Sequence, residues 1–121
     1  VSDTTGPDFT ASVRDTLGGP VIEATGELDL DSAPILHSAL HRALGASPPP
    51  PMLVIDLAGV TFCDSSGLNA LLQARIESQG LGVALHLARP THTVARVLEI
   101  TGADKVFSVR NEPTVPHSRA G

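Results

Sequence analysis

Apolar positions along the chain follow two periods, and the switches between them mark the elements. Phe9, Ala11 and Val13 alternate with polar residues, the period-2 pattern of a strand with one buried face. Gly18-Gly19-Pro20 breaks the chain and Val21 to Leu28 resumes extended character, so the two segments predict an antiparallel hairpin. Leu36, Leu40 and Leu44 then share one face of a helix, widened by Ile35, Ala39 and Ala43. Asp31 or Ser32 is placed to cap it, Pro34 sits in the first turn where a missing N–H costs nothing, and Gly45 ends it. Ala46-Ser47-Pro48-Pro49-Pro50-Pro51 reads as a stiff connector between packed elements in preference to a ligand for an aromatic groove.

The most informative stretch is Met52 to Gly80. Met52 to Leu57 predicts a buried strand, and Ala58 to Cys63 a loop leading into Asp64-Ser65-Ser66-Gly67. Leu68, Leu71, Leu72 and Ile76 predict the apolar face of the helix that follows, with Gly80 ending it in the left-handed conformation. Two hydroxyls therefore stand where a strand hands over to a helix N-terminus, which Asp64 is placed to cap. Unpartnered N–H groups and the helix dipole favour negative charge there, so a phosphate fits.

Further on, Val83 to Leu87 predicts a strand, and Pro90-Thr91 opens a helix with Val94, Val97, Leu98 and Thr101 on one side and Gly102 at its end. Lys105 to Val109 predicts a last strand. Residues 1–7 read as a flexible terminus and residues 111–121, with two prolines and no period, as a disordered tail around one domain spanning 8–110. The order β-β-α-β-α-β-α-β implies an α/β fold. Its mixed sheet is mainly parallel, with an antiparallel N-terminal hairpin, and it packs against helices.

Composition narrows the function. Eight basic against thirteen acidic side chains give a net charge of −5, and there are three Phe with no Trp or Tyr. Neither a nucleic-acid backbone nor stacked bases would find a partner surface here. No apolar run approaches the ~20 residues that span a bilayer, the opening residues lack signal-peptide character, and the single Cys63 suits a reducing compartment. The expectation is a cytoplasmic protein that binds neither nucleic acid nor membrane.

Three motifs carry a resemblance. Gly26-Glu27-Leu28-Asp29, Asp64-Ser65-Ser66-Gly67-Leu68, and Thr101-Gly102 followed by Phe107 resemble the signatures of bacterial anti-sigma factor antagonists, whose fold is the STAS domain also found in sulfate-transporter tails. The resemblance runs from about Phe9 to Val109 and implies a STAS-type fold. It implies that Ser65 is phosphorylated by a partner serine kinase that is itself the anti-sigma factor. The unmodified protein would bind that kinase and release a sigma factor, and a serine phosphatase would reset the phosphorylated form. Asp64, Ser65, Ser66 and Asn69, extended by Glu27 and Asp29, are the expected partner-binding residues. Asn69 stands where relatives commonly have Gly, and the proline spacer and the tail without an apolar helix also depart from the pattern.

Other chemistries are weaker. A scaffold or accessory subunit of a stress-sensing or transporter complex is an alternative on the same fold. A small serine hydrolase would need a Gly-x-Ser-x-Gly elbow, which Asp64-Ser65-Ser66-Gly67 is not, so no catalytic residue is assigned. His37 and His41 have the i, i+4 spacing of metal ligands, but no carboxylate accompanies them in sequence and they read as a solvated helix surface. Cys63 reads as a small buried apolar residue, with no basic neighbour to activate it. No cofactor, nucleotide or metal site is expected.

Overall fold

The computed structural model describes residues 9–111. The expectations for residues 1–7 and, beyond Asn111, for the tail lie outside the described residues. Five strands and three helices follow one another as β1 (Thr10–Thr16), β2 (Gly19–Leu28), α1 (Ala33–Leu44), β3 (Met52–Cys63), α2 (Ser65–Gly80), β4 (Ala84–Ala88), α3 (His92–Thr101) and β5 (Ser108–Arg110), with a 3-10 turn at Ala103–Lys105. The predicted order holds throughout. β1 pairs antiparallel with β2, the remaining pairs are parallel, and the spatial order β1-β2-β3-β4-β5 equals the chain order. Each parallel connection therefore steps in the same direction, and right-handed crossovers put all three helices on one face.

That face holds the core. Ile22, Ile55 and Leu87, adjacent in register, join Leu40 of α1, Leu71 of α2 and Leu98 of α3 in a single buried cluster. The alternate positions Val21, Val54 and Ala88, with Met52 against them, form a smaller cluster on the opposite face. Asp56 is buried on that side, and Arg89 clamps its carboxylate through Nε at 3.2 Å and Nη2 at 2.7 Å. Arg89 adopts φ 49°, and its amide donates to the Arg110 carbonyl at 2.8 Å, which fixes the exit from β4 against β5.

Four local expectations are corrected. Ala58 to Cys63 is not a loop: β3 runs on to Cys63, and two register shifts against β2 absorb the irregular residues. Gly59 sits within one, where a Cβ would lie 2.7 Å from the Thr25 hydroxyl. Ile76 and Ile35 point outward, at 56% and 42% exposure, because the buried stripe of α2 runs through Gly67, Leu71, Ala74 and Ser78 and that of α1 through Leu36, Leu40 and Ala43.

Gly80 is the last residue of α2 and not its left-handed terminator. Gly82 takes that role at φ 74°, with its N–H bonded to the Gln79 carbonyl and the Val83 N–H to that of Ser78, a Schellman close. The last strand is shorter and later than predicted, because Ala103–Lys105 winds into the 3-10 turn. Thr91 and Gly102 bound α3 as expected, Thr91 accepting from the Val94 N–H and Gly102 at φ 81°.

Candidate functional site

The chain enters α2 through Asp64, whose extended backbone (φ −104°, ψ −168°) lets its carboxylate accept the Gly67 N–H at 2.9 Å. This is the expected cap. It consumes the carboxylate on the helix side and leaves Ser65, the first helical residue, exposed. The Ser65 hydroxyl has no hydrogen-bond partner among the described residues. Ser66 is half-buried and Asn69, one turn on, is exposed.

Gly67 is dictated by contact. A Cβ there would lie 2.2 Å from the Leu28 carbonyl oxygen, so only glycine lets the start of α2 pass this close to the end of β2. The Asp64 N–H also donates to that carbonyl, at 3.3 Å. Two of the three sequence motifs thus meet at Leu28.

The other half of the junction is a knot around Ser32. Its hydroxyl donates to the Glu27 carbonyl at 2.7 Å and accepts from the Asp29 N–H at 2.8 Å. The Asp29 carboxylate accepts the Ser32 N–H at 3.1 Å. Ser32 stands at the N-cap position of α1, but its side chain turns back to the strand instead of capping the helix. Asp29 is therefore half-buried and held, whereas Glu27 is exposed beside Phe62, its register partner on β3.

Between the starts of α1 and α2 lies an open groove of about 530 Å³, lined by Leu30, Pro34 and His37 on one side and by Ser65, Ser66 and Asn69 on the other. Three of the six expected contact residues share this groove. Asp64, Glu27 and Asp29 do not line it. Leu30, 71% exposed, and Phe62, 42% exposed, add apolar surface to a rim expected to be polar and acidic. Sequence reasoning missed both. Leu30 follows the end of a strand outside any period, and Phe62 fell in the segment read as a loop.

Further down the helix pair, His37 and His41 are exposed as expected, but a carboxylate does accompany them. Glu77 of α2 accepts from His37 Nε2 at 3.0 Å and from His41 Nε2 at 3.1 Å, one oxygen to each ring. Cys63 is buried as expected. Desolvation, and then the charge of Asp64, push its thiol up to about 11, so it is unreactive at neutral pH.

A mainly parallel sheet helical on one face, with an exposed serine at a capped strand-to-helix junction, defines a STAS-type domain. A family model described as "Mlab, STAS domain" matches residues 11–110. The anti-sigma-F factor antagonist RsfB of Mycobacterium tuberculosis is 34% identical over 102 residues, covering 84% of this chain and 81% of that protein. The crystal structure of an anti-sigma factor antagonist from Mycobacterium paratuberculosis superposes with a TM-score of 0.72 at 31% identity, covering 93% of this chain and 92% of that one. The unphosphorylated form of the anti-sigma factor antagonist SpoIIAA shares the fold, with a TM-score of 0.67 at 21% identity over 85% of this chain and 90% of that one. The chain belongs to the family of bacterial anti-sigma factor antagonists built on the STAS domain. Among the described residues no helix is long and apolar enough to cross a membrane.

Proposed function

We propose that this protein is a phosphorylation-controlled binding module: it binds an anti-sigma factor that is also a serine kinase, so releasing a sigma factor, and lets go when Ser65 is phosphorylated. The observation that carries the reading is the exposed Ser65 hydroxyl at the first position of α2, beside a cap that has already bound its helix amide. Its physical consequence is a modification that changes the surface and not the fold. Phosphorylation adds about −1.5 to −2 charges, which a helix N-terminus tolerates. The added bulk and charge fall on the groove wall and repel a partner fitted to the neutral serine. Leu30 on the groove rim and Phe62 beside Glu27 supply apolar contacts for such an interface, and Glu27, Asp29, Asp64, Ser66 and Asn69 its polar ones.

The protein acts as a kinase substrate and not as an enzyme. His37, the imidazole lining the groove, is tied to Glu77, and no imidazole bonds to Ser65 among the described residues. A serine phosphatase returns the modified form to the binding state, and the exposure of Ser65 gives it access. The test is incubation with the cognate anti-sigma kinase and ATP, followed by mass spectrometry. One phosphate is expected, on Ser65, and none in Ser65→Ala. Phosphate mapping to Ser66 or elsewhere with Ser65 untouched overturns the assignment.

A further inference from the structure

The helix pair carries a second constellation that the switch does not use. His37 and His41 lie one turn apart on α1, with ring centroids 4.1 Å apart and planes tilted by 50°. Glu77, from α2, places one carboxylate oxygen 3.0 Å from His37 Nε2 and the other 3.1 Å from His41 Nε2. One donor atom from each of the three residues lies within 4.8 Å of the others. We propose that His37, His41 and Glu77 form a binding site for one divalent transition-metal ion of the zinc class, which bridges α1 and α2.

The donor set selects the ion. Two neutral imidazoles and one carboxylate suit zinc, nickel or copper, whereas magnesium and calcium take oxygen donors. Two His and one Glu are a known zinc set, with a fourth position left to water. The geometry is close to what the ion needs. Metal bonds of about 2.0–2.2 Å put tetrahedral donors about 3.3–3.5 Å apart. The two imidazole–carboxylate separations, each to a different Glu77 oxygen, are slightly shorter than this, and one donor atom from each residue lies within 4.8 Å of the others, so the ion replaces two hydrogen bonds once the exposed rings and the carboxylate turn to converge on it. On binding, each Nε2 gives up the proton it donates to Glu77, to solvent or to Nδ1 of the same ring, and turns its lone pair to the metal.

Side-chain exposures of 51% for His37, 61% for His41 and 34% for Glu77 leave the rings free to turn and the fourth position open to water. A bound ion would also tie the two walls of the groove together, since His37 lines it. The i, i+4 spacing is visible in the sequence. The third ligand is not, because it lies 36 residues beyond His41 on another helix.

Calorimetric titration of the full chain with zinc chloride, in a buffer that does not chelate it, tests the site. One ion per chain is expected, together with a higher melting temperature. Magnesium chloride should produce neither effect. His41→Gln and Glu77→Gln, both at exposed or half-exposed positions, should each weaken zinc binding at least about tenfold. His92→Gln and His117→Gln should leave it unchanged. Absence of saturable zinc binding overturns the proposal, as does saturable binding that persists in both ligand variants or disappears with His92 or His117. Circular dichroism on each variant separates lost ligation from lost folding.

Discussion

Gly67 shows how a single residue ties the proposed switch to the fold. A Cβ at this position would enter the Leu28 carbonyl, so Gly67→Ala must either move the start of α2 or break the end of β2. Such overpacking costs about 1–3 kcal/mol. Thermal unfolding followed by circular dichroism should show the loss, and the displaced helix start should weaken partner binding with it. Ser65→Ala should do the opposite, abolishing phosphorylation while leaving the melting temperature within error, since the side chain is exposed. Asp64 as the cap and Ser65 as the exposed hydroxyl were legible in the sequence, because capping depends on residues within one turn. The role of Asp29 was only half legible. The structure ties it to Ser32, so Asp29→Ala should cost about 1 kcal/mol of stability in addition to any loss of binding. A loss of binding with unchanged stability would show that the knot contributes nothing to the fold.

Among the elements, α2 gives the sharpest contrast between pattern and structure. Its periodicity announced a helix, and the helix is there, but the apolar face was placed too far round. At about 100° per residue Ile76 lies about 140° from Leu71. Ala74 and Ser78 take the buried side, where small side chains let α2 approach its neighbours. Only the packing partners decide such a rotation, and they are distant in sequence. The terminator was misplaced by two residues for a related reason: Gly80 and Gly82 look alike in the sequence, and the backbone conformation separates them. The two glycines should therefore respond in opposite directions to alanine. Neither position would bring a Cβ within 4 Å of another group. Gly80→Ala should raise stability by about 0.5–1 kcal/mol through helix propensity, whereas Gly82→Ala, at φ 74°, should lower it by about 1 kcal/mol. Urea unfolding of the two variants measures both. Ala58-Gly59 interrupts the apolar run of β3, so the local pattern ends the strand early. β2 continues beside it and holds the irregular residues in register shifts, a long-range pairing that no local pattern reports.

For the whole molecule, element order, parallel pairing and the antiparallel edge were legible, because alternating periods and short connections leave few topologies open. The groove was not. It arises where the starts of α1 and α2 come together, and its apolar rim residue Leu30 belongs to neither helix. The sheet also carries a pH response. Burial, and then the charge of Arg110, lower the pKa of His86, which sits between Val54 and Ser108 in register. The unfolded chain thus takes up a proton at His86 before the folded one does. Stability should fall as pH drops from about 7 through the ordinary imidazole range, above the range where carboxylates titrate. His86→Asn should flatten that slope, and an unchanged slope would place the proton uptake elsewhere. The proposed partner switch is tested most directly by calorimetric titration of the cognate anti-sigma factor with two forms of the protein, unmodified and phosphorylated on Ser65. The unmodified form should bind with one-to-one stoichiometry, and phosphorylation should weaken binding at least about 100-fold, or about 2.7 kcal/mol, with the circular dichroism spectrum unchanged. Equal affinity of the two folded forms would contradict a switch at Ser65.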